Sequence, residues 1–418
     1  MTSYKDSGVE WIGEIPEDWD IDKIKYLSNL YGRIGWQGLT SEEYIDEGPF
    51  LVTGVDFCKG EIDWSSCVHI SEKRWEQADK IQLKNNDLLI TKDGTVGKVA
   101  VVDNLDGKAS LNSGVLLIDL DDKNSKKYLY WVLSSDVFWT WFNYKNSGNS
   151  TILHLYQKDF NEFIYAMPNL LEQNKIAEFL DKKCAEIDSI SSKIEKQIEL
   201  LKDYKKSLIT ETVTKGLDKN IPMKDSGIEW IDEIPEHWGT SKLKYNASAH
   251  TSGLSIDNLN EIGKYPVYDA NKIVGYTNYK NIDKEYISII KDGAGVGRVR
   301  ILNKNTSILA TMNAIIPCKY LINTYLYWIL RIYDFNKYAN GSTIPHIYFK
   351  DYAEDKITIP SIAEQKEISE FLDKKCSEID SIISKKERQL DLMKEHRESL
   401  VYEYITGKKR VGGGKYGN

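Results

Sequence analysis

Two hydrophobic patterns alternate along the chain. In the first, short apolar runs such as Asp87-Leu-Leu-Ile90, Val99-Ala-Val-Val102 and Gly114-Val-Leu-Leu-Ile118 are divided by Gly, Asn and Asp turn signals. Runs of this length with such borders predict strands. Tyr128-Leu-Tyr-Trp-Val-Leu133 and Tyr325-Leu-Tyr-Trp-Ile-Leu330 each predict a helix within the same kind of region. In the second pattern, apolar residues return at Leu180, Ile187, Ile190, Ile194, Leu201, Tyr204 and Leu208, and again at Leu372, Ile379, Ile382, Met393 and Leu400. Seven-residue steps with three-residue partners predict a coiled-coil seam. Gln197 and Gln389 interrupt it at equivalent places, as register-fixing polar residues do. Pro168 before Asn169 and Glu172, and Pro360 before Ser361 and Glu364, mark the helix starts. Ser361 and Glu364 fit a capping box. Gly216 and Gly407 follow the last apolar positions, as helix terminators do. About 40 residues at 1.5 Å each give a rod of roughly 60 Å.

Both patterns occur twice because the chain is duplicated. KDSGVEWIGEIPEDW (Lys5 to Trp19) returns as KDSGIEWIDEIPEHW (Lys224 to Trp238), and EFLDKKCAEIDSI (Glu178 to Ile190) returns as EFLDKKCSEIDSI (Glu370 to Ile382). The offset falls from 219 to 192 between these motifs, so the second copy is 27 residues shorter in its middle. The ends of each repeat are fixed and the centre varies. Two similar halves suit a pseudo-two-fold arrangement, the symmetry of a DNA site read as two half-sites. The chain buries two apolar stripes most simply by pairing the long helices antiparallel with each other. Packing of each helix on its own domain, or on another chain, is the alternative. The expected architecture is therefore α/β plus long helices. The expected boundaries are 1–167 for the first α/β domain, 168–218 for the first long helix, 219–359 for the second domain, 360–408 for the second helix, and 409–418 for a basic, Gly-rich flexible tail.

Length and composition allow two to four domains with real cores. No apolar run reaches membrane-spanning length, and the polar start MTSYKDSG has no signal-peptide character. The five cysteines form no CxxC pair, and Cys184 and Cys376 are repeat equivalents within helical patterns. Buried thiols and a cytoplasmic location are expected. The net charge of −8 and pI near 5.5 oppose DNA binding by bulk electrostatics. Local basic loops, or partners that supply phosphate contacts, would then be needed.

Three segments carry candidate chemistry. Lys92-Asp-Gly-Thr-Val-Gly-Lys98 is matched by Lys291-Asp-Gly-Ala-Gly-Val-Gly-Arg298, one residue longer. Gly94 and Gly293 let backbone approach a ligand, while Lys92, Lys98, Lys291 and Arg298 can meet phosphates or guanine. A hairpin with solvated lysines is the other reading, and the spacing is not that of a nucleotide-phosphate loop. Ser150-Thr-Ile-Leu-His154 is matched by Ser342-Thr-Ile-Pro-His346. Ser150, Thr151, Ser342 and Thr343 suit groove or phosphate contact, or else a turn bonded to its own backbone. His154 and His346 fit structural hydrogen bonding better than base reading. Arg33 and Gln37 lie where the copies diverge, and their chemistry suits guanine and adenine. The repeated Trp11, Ile15, Pro16 and Trp19, with Trp230, Ile234, Pro235 and Trp238, fit core or docking positions against the helices.

With these residues in view, the chain resembles the specificity subunits of type I restriction-modification enzymes. Pro168-Asn-Leu-Leu-Glu-Gln173 with Ala177-Glu-Phe-Leu-Asp181, and Pro360-Ser-Ile-Ala-Glu-Gln365 with Glu370-Phe-Leu-Asp373, resemble that family's helical signature. Leu88 to Lys98 and Gly148 to His154 look like its target-recognition domains. The resemblance implies two such domains on an antiparallel coiled coil, each reading one half of a bipartite, asymmetric site on double-stranded DNA. It implies no catalysis and no cofactor on this chain. Two modification (methyltransferase) subunits would carry S-adenosylmethionine, and restriction subunits would use ATP and Mg. No amino-methyltransferase motif, complete phosphate loop or metal-ligand spacing stands in the sequence. A coiled-coil interaction scaffold without DNA specificity, and a nuclease, are the competing readings.

Overall fold

The computed structural model describes residues 3–33, 38–146, 153–279, 282–293, 295–341 and 345–412. The chain divides into two compact units, Met1–Lys193 with Gln389–Asn418, and Ile194–Arg388.

Each unit is built on a four-stranded antiparallel sheet. In the first unit the order is Val99–Val101, Leu88–Thr91, Val115–Leu120, Ser28–Gly32. In the second it is Val299–Leu302, Tyr286–Ile290, Met312–Pro317, Ala247–Thr251. The apolar runs do not alternate because both faces of these sheets are covered. Leu88 and Ile90 enter a core shared with the helix Lys126–Leu133. Leu89, Val115 and Leu117 point the other way, into a core closed by Val52, Ala109 and Leu111. The second unit repeats this. Ile287 and Ile289 face the helix Asn323–Ile332, and Tyr286 and Ile290 face the opposite core.

The long helices are Leu170–Lys215 and Ile362–Ile405. Asn169 caps the first by accepting from the Glu172 amide (3.0 Å). Ser361 and Glu364 form the expected reciprocal capping box, at 3.1 and 3.3 Å. One turn on, Gln173 and Gln365 are buried with every polar atom engaged. Their amide groups donate to the carbonyls of Pro168 and Pro360, and their Oε1 atoms accept from the amides of Ser125 and Ile322. Within each unit, segments of the two helices pair antiparallel. In the first, Phe179 meets Tyr404 (4.5 Å between rings) and Asp188 meets Arg397 (3.3 Å). In the second, Gln197 meets Lys386 (2.7 Å) and Lys205 meets Asp380 (2.5 Å). Asp188 and Asp380, and Arg397 and Lys205, are repeat equivalents, so both units carry the same cross-helix ion pair.

The seam differs from the expected one. Ile190, Tyr204 and Ile382 are exposed, while Cys184, Ile198, Cys376 and Ile383 are buried. The observed positions follow strict four- and three-residue steps, which brings Ser191, Lys205, Lys386 and Arg397 into line. Long side chains lay their stems along the seam and carry their polar heads to partners, so selection by hydrophobicity passes over them. Gln197 and Gln389 flank the seam and are exposed.

The repeated N-terminal motif grips the helices. Trp19 and Trp238 are buried, and their indole N–H groups donate to Glu172 (3.3 Å) and Glu364 (3.0 Å) at the start of one helix. The other helix ends against the same tryptophans. Gly407 (φ +72°) lies on Pro16 and Trp19, and Gly216 (φ +75°) lies on Trp238. Tyr128 and Tyr325 complete the grip by donating to the final-turn carbonyls of Ile405 (2.9 Å) and Val213 (3.2 Å). Cys184 and Cys376 are buried thiols, and burial pushes Cys184 up to about 11.

Candidate nucleic-acid interface

The described parts of the candidate segments gather at one end of each four-stranded sheet. Ser28–Gly32 runs parallel to Leu88–Thr91 because both pair antiparallel with Val115–Leu120. The C-terminal ends of both strands therefore project together. A Cβ added at Gly32 would lie 3.9 Å from Lys92 Nζ. The glycine loops are hairpin turns between adjacent strands, as the sequence allowed.

Their backbones are fixed identically. Lys92 and Asp93 amides donate to the Gly114 carbonyl at 2.8 and 3.4 Å, and Lys291 and Asp292 amides donate to Thr311 at 3.0 and 3.3 Å. The chain after each Ser-Thr segment returns to the same loop, where Leu155 N–H donates to Lys92 O and Ile347 N–H to Lys291 O, both at 2.9 Å. Side chains complete the fastening. His154 Nδ1 meets Asp93 Oδ1, and His346 Nδ1 meets Asp292 Oδ1 at 2.8 Å. Both histidines are structural hydrogen-bonders, as their residue type suggested.

The glycines do different work. Gly97 and Gly297 pack under aromatic rings: an added Cβ would come 2.7 Å from Trp139 and 2.6 Å from Phe335. Gly94 and Gly293 have positive φ, +71° and +99°, and face open space. These two leave backbone bare for a ligand. The basic residues are also unlike. Lys92 and Lys98 have no ion-pair partner among the described residues. Lys291 lies 3.9 Å from Asp292, and Arg298 Nη1 donates to Asn271 Oδ1 at 3.0 Å.

Arg33 is placed differently from a presented base reader. It is 5% exposed, and its guanidinium donates to Leu111 O (2.8 Å) and Ser110 Oγ (2.9 Å). Burial, with Arg74 nearby, pushes its pKa down to about 10, so it stays charged at neutral pH. It ties the end of its strand to a neighbouring one and would have to give up these bonds to reach a base. Gln37, Ser150, Thr151, Ser342 and Thr343 lie outside the described residues.

One basic residue was passed over. Arg300 replaces buried Ala100 on the edge strand, lies over the Tyr268 ring (5.1 Å) and donates to Asn271 O (3.1 Å). In the first unit the strands Phe57–Cys58 and Glu61–Ile62 cover this edge, and Val101 N–H bonds Gly60 O at 2.9 Å. Twenty of the 27 residues missing from the second copy lie between Trp19 and Lys92, the stretch that holds these strands, since the offset falls from 219 to 199 at Lys92 and Lys291. The signal was an arginine inside an apolar run, legible only once the shortened segment is seen to uncover it.

Each α/β domain carries a glycine loop fastened through a histidine, His154 in the first and His346 in the second, the form of a nucleic-acid-reading domain. The family model for the type I restriction modification DNA specificity domain matches residues 16–200 and 235–392, and the chain belongs to that family. It is 27% identical to the putative type I restriction enzyme MjaX specificity subunit of Methanocaldococcus jannaschii, over 96% of both chains. It is 26% identical to the MjaVIII specificity subunit of the same organism, over 95% of this chain and 94% of that one. A solved chain from a structural study of complex assembly and conformational transition in the type I R-M system superposes with a TM-score of 0.75 at 14% identity, covering 94% of this chain and 99% of that one. The HsdS subunit from Thermoanaerobacter tengcongensis gives 0.54 at 13% identity, covering 94% and 98%. These two likenesses support the fold. Among the described residues, no helix is long and apolar enough to cross a membrane.

Proposed function

We propose that this chain is the DNA sequence-recognition subunit of a type I restriction-modification complex. Each α/β domain reads one half of a bipartite, asymmetric target in double-stranded DNA, and partner subunits methylate or cleave. The observation that carries this reading is the repeated fastening of a glycine loop to a Ser-Thr segment, Asp93 to His154 and Asp292 to His346, amid side chains that differ between copies. A fixed mount with variable contacts suits two heads that read different bases. Lys92, Lys98, Lys291, Arg298 and the bare backbone at Gly94 and Gly293 are the proposed contacts. Phosphate contacts would set register, and arginine or lysine at base edges would specify sequence. Ser150, Thr151, Ser342, Thr343 and Gln37 remain proposed contacts, and Arg33 is proposed to hold its strand end in place.

The chain itself is proposed to be non-catalytic and to bind no cofactor. S-adenosylmethionine would belong to two modification subunits, and ATP and Mg to restriction subunits, all in the cytoplasm. The paired helices would space the domains and thereby set the gap between half-sites. The test is long-read methylation sequencing in a methylation-free host that expresses the chain with its neighbouring modification subunit. A bipartite motif methylated only when the chain is present is expected. A soluble complex that adds no methylation would overturn the reading and favour an interaction scaffold.

A further inference from the structure

We propose that a cluster repeated on both units, Lys23, Lys25, Tyr26 and Glu162 on the first and Lys242, Lys244, Tyr245 and Glu354 on the second, is the docking surface for one kind of protein partner taken in two copies. In the first unit Glu162 bridges Lys23 and Lys25, both at 2.6 Å, and Lys25 Nζ lies 5.0 Å from the centre of the Tyr26 ring. In the second, Glu354 bridges Lys242 at 2.9 Å and Lys244 at 2.6 Å, and Lys244 Nζ lies 5.2 Å from the Tyr245 ring. The same carboxylate oxygen takes the equivalent lysine each time. Tyr26 and Tyr245 are 66% and 69% exposed.

The fold does not require this duplication. Exposed ion pairs add little to stability, and an exposed tyrosine ring buries nothing in the core. Around the cluster the two copies have drifted apart. Asp119, Asp121 and Asp122 share a shallow depression with Lys25 and Tyr26. The strand register puts Ile316, Cys318 and Lys319 at the equivalent positions. Four exposed or half-buried residues kept alike amid neighbours that changed point to the same outside contact on both halves.

The neighbours also decide the class of that contact. The formal charge of the cluster with these neighbours is negative in the first unit and positive in the second. A polyanion would distinguish the two patches, whereas a protein surface that meets the ring and the ion triple at short range need not. The cluster precedes the strand Ser28–Gly32, whose far end meets the glycine loop. Five residues at about 3.3 Å each put it roughly 15 Å from the proposed DNA contacts. A partner seated here leaves those loops open.

This inference rests on the function proposed above, in which that partner is the modification subunit. The test is native mass spectrometry of the full chain purified with its modification subunit. The unaltered chain should hold two copies, Tyr26→Ser one, and Tyr26→Ser with Tyr245→Ser none. Tyr320→Ser, at an exposed tyrosine whose counterpart is Lys123, should keep two. Unchanged thermal melting of each variant confirms folding. If the double variant still holds two copies, the docking surface is wrong while the proposed function stands. If it holds two copies but loses DNA affinity, the cluster is a nucleic-acid contact and the inference falls. If the chain alone self-associates and Tyr26→Ser abolishes that, the occupant is a second copy and the inference again falls. An unaltered chain that holds no modification subunit overturns both.

Discussion

The two units agree at the helix grips and differ at the reading ends. At the grips, tryptophan, glutamate, glutamine and tyrosine make the same bonds in both copies, often to the same atom. At the reading ends, Lys98 stands without an ion-pair partner among the described residues where Arg298 is held by Asn271. Buried Ala100 stands where Arg300 is exposed. The difference separates two demands on one duplicated sequence. Interlocked buried contacts tolerate little change, because an orphaned polar group or a cavity costs more than it can regain. A loop tip facing solvent is under no such restraint.

The comparison can be broken first at the tryptophans. Trp19→Ala and Trp238→Ala should each destabilise their own unit by about 3–5 kcal/mol, measured by urea unfolding. Markedly unequal losses would show that the grips are alike in geometry but not in energy. The helix-terminating glycines should be unequal. A Cβ at Gly407 would lie 2.4 Å from Pro16 Cδ, and one at Gly216 3.2 Å from Trp238. Both carry the strain of positive φ, roughly 1 kcal/mol. Gly407→Ala should therefore cost about 3 kcal/mol and Gly216→Ala about 1 kcal/mol, and the reverse order in melting experiments would contradict the packing described.

Acid should act on the grip in the second unit. Burial pushes the Glu364 carboxyl up, but hydrogen bonds from Trp238, Ser361 and His237 outweigh it and hold the group at about 2. Its ordinary value is 4.5. A carboxylate with a depressed folded-state pKa stabilises the fold above its unfolded value and loses that contribution as pH falls through the folded one. About 2 kcal/mol should therefore be lost between pH 4.5 and 2, and Glu364→Gln should flatten that part of the acid-unfolding curve. A curve of unchanged slope would count against the bonded carboxylate.

The smallest effects belong to the reading ends. Lys98→Ala should weaken DNA binding by the assembled complex about tenfold at any sequence and reduce the salt slope by about one. Arg298→Ala should relax specificity at one position of one half-site. Binding titrations over salt and sequence would distinguish them, and identical behaviour would mean that both contact phosphate.

Much of the frame was legible in the sequence. Ser361 and Glu364 announced a capping box, Gly216 and Gly407 announced helix ends, and the duplicated tryptophans announced contacts with the helices. Periodicity alone placed the seam imperfectly. Ile190 and Tyr204 are apolar but exposed, while Lys205 and Arg397 serve the seam through their stems and find acids across it. The reading ends were legible as segments but not as geometry. Nothing in the spacing of Lys92 and His154 shows that Asp93 joins them, because that contact depends on the sheet bringing residues far apart in sequence to one end. Arg33 looked like a reader by residue type, and only the fold places its guanidinium under Ser110 and Leu111.

The most direct test of two independent heads on one repeated frame is a domain replacement. Residues 219–359 would be exchanged for a second copy of residues 1–167, and methylated DNA from a host expressing that chain with the modification subunit would be sequenced. Both halves of the methylated motif should then carry the base sequence read by the first domain. A motif that keeps its original second half, or an assembled complex that loses both halves together, would contradict the account.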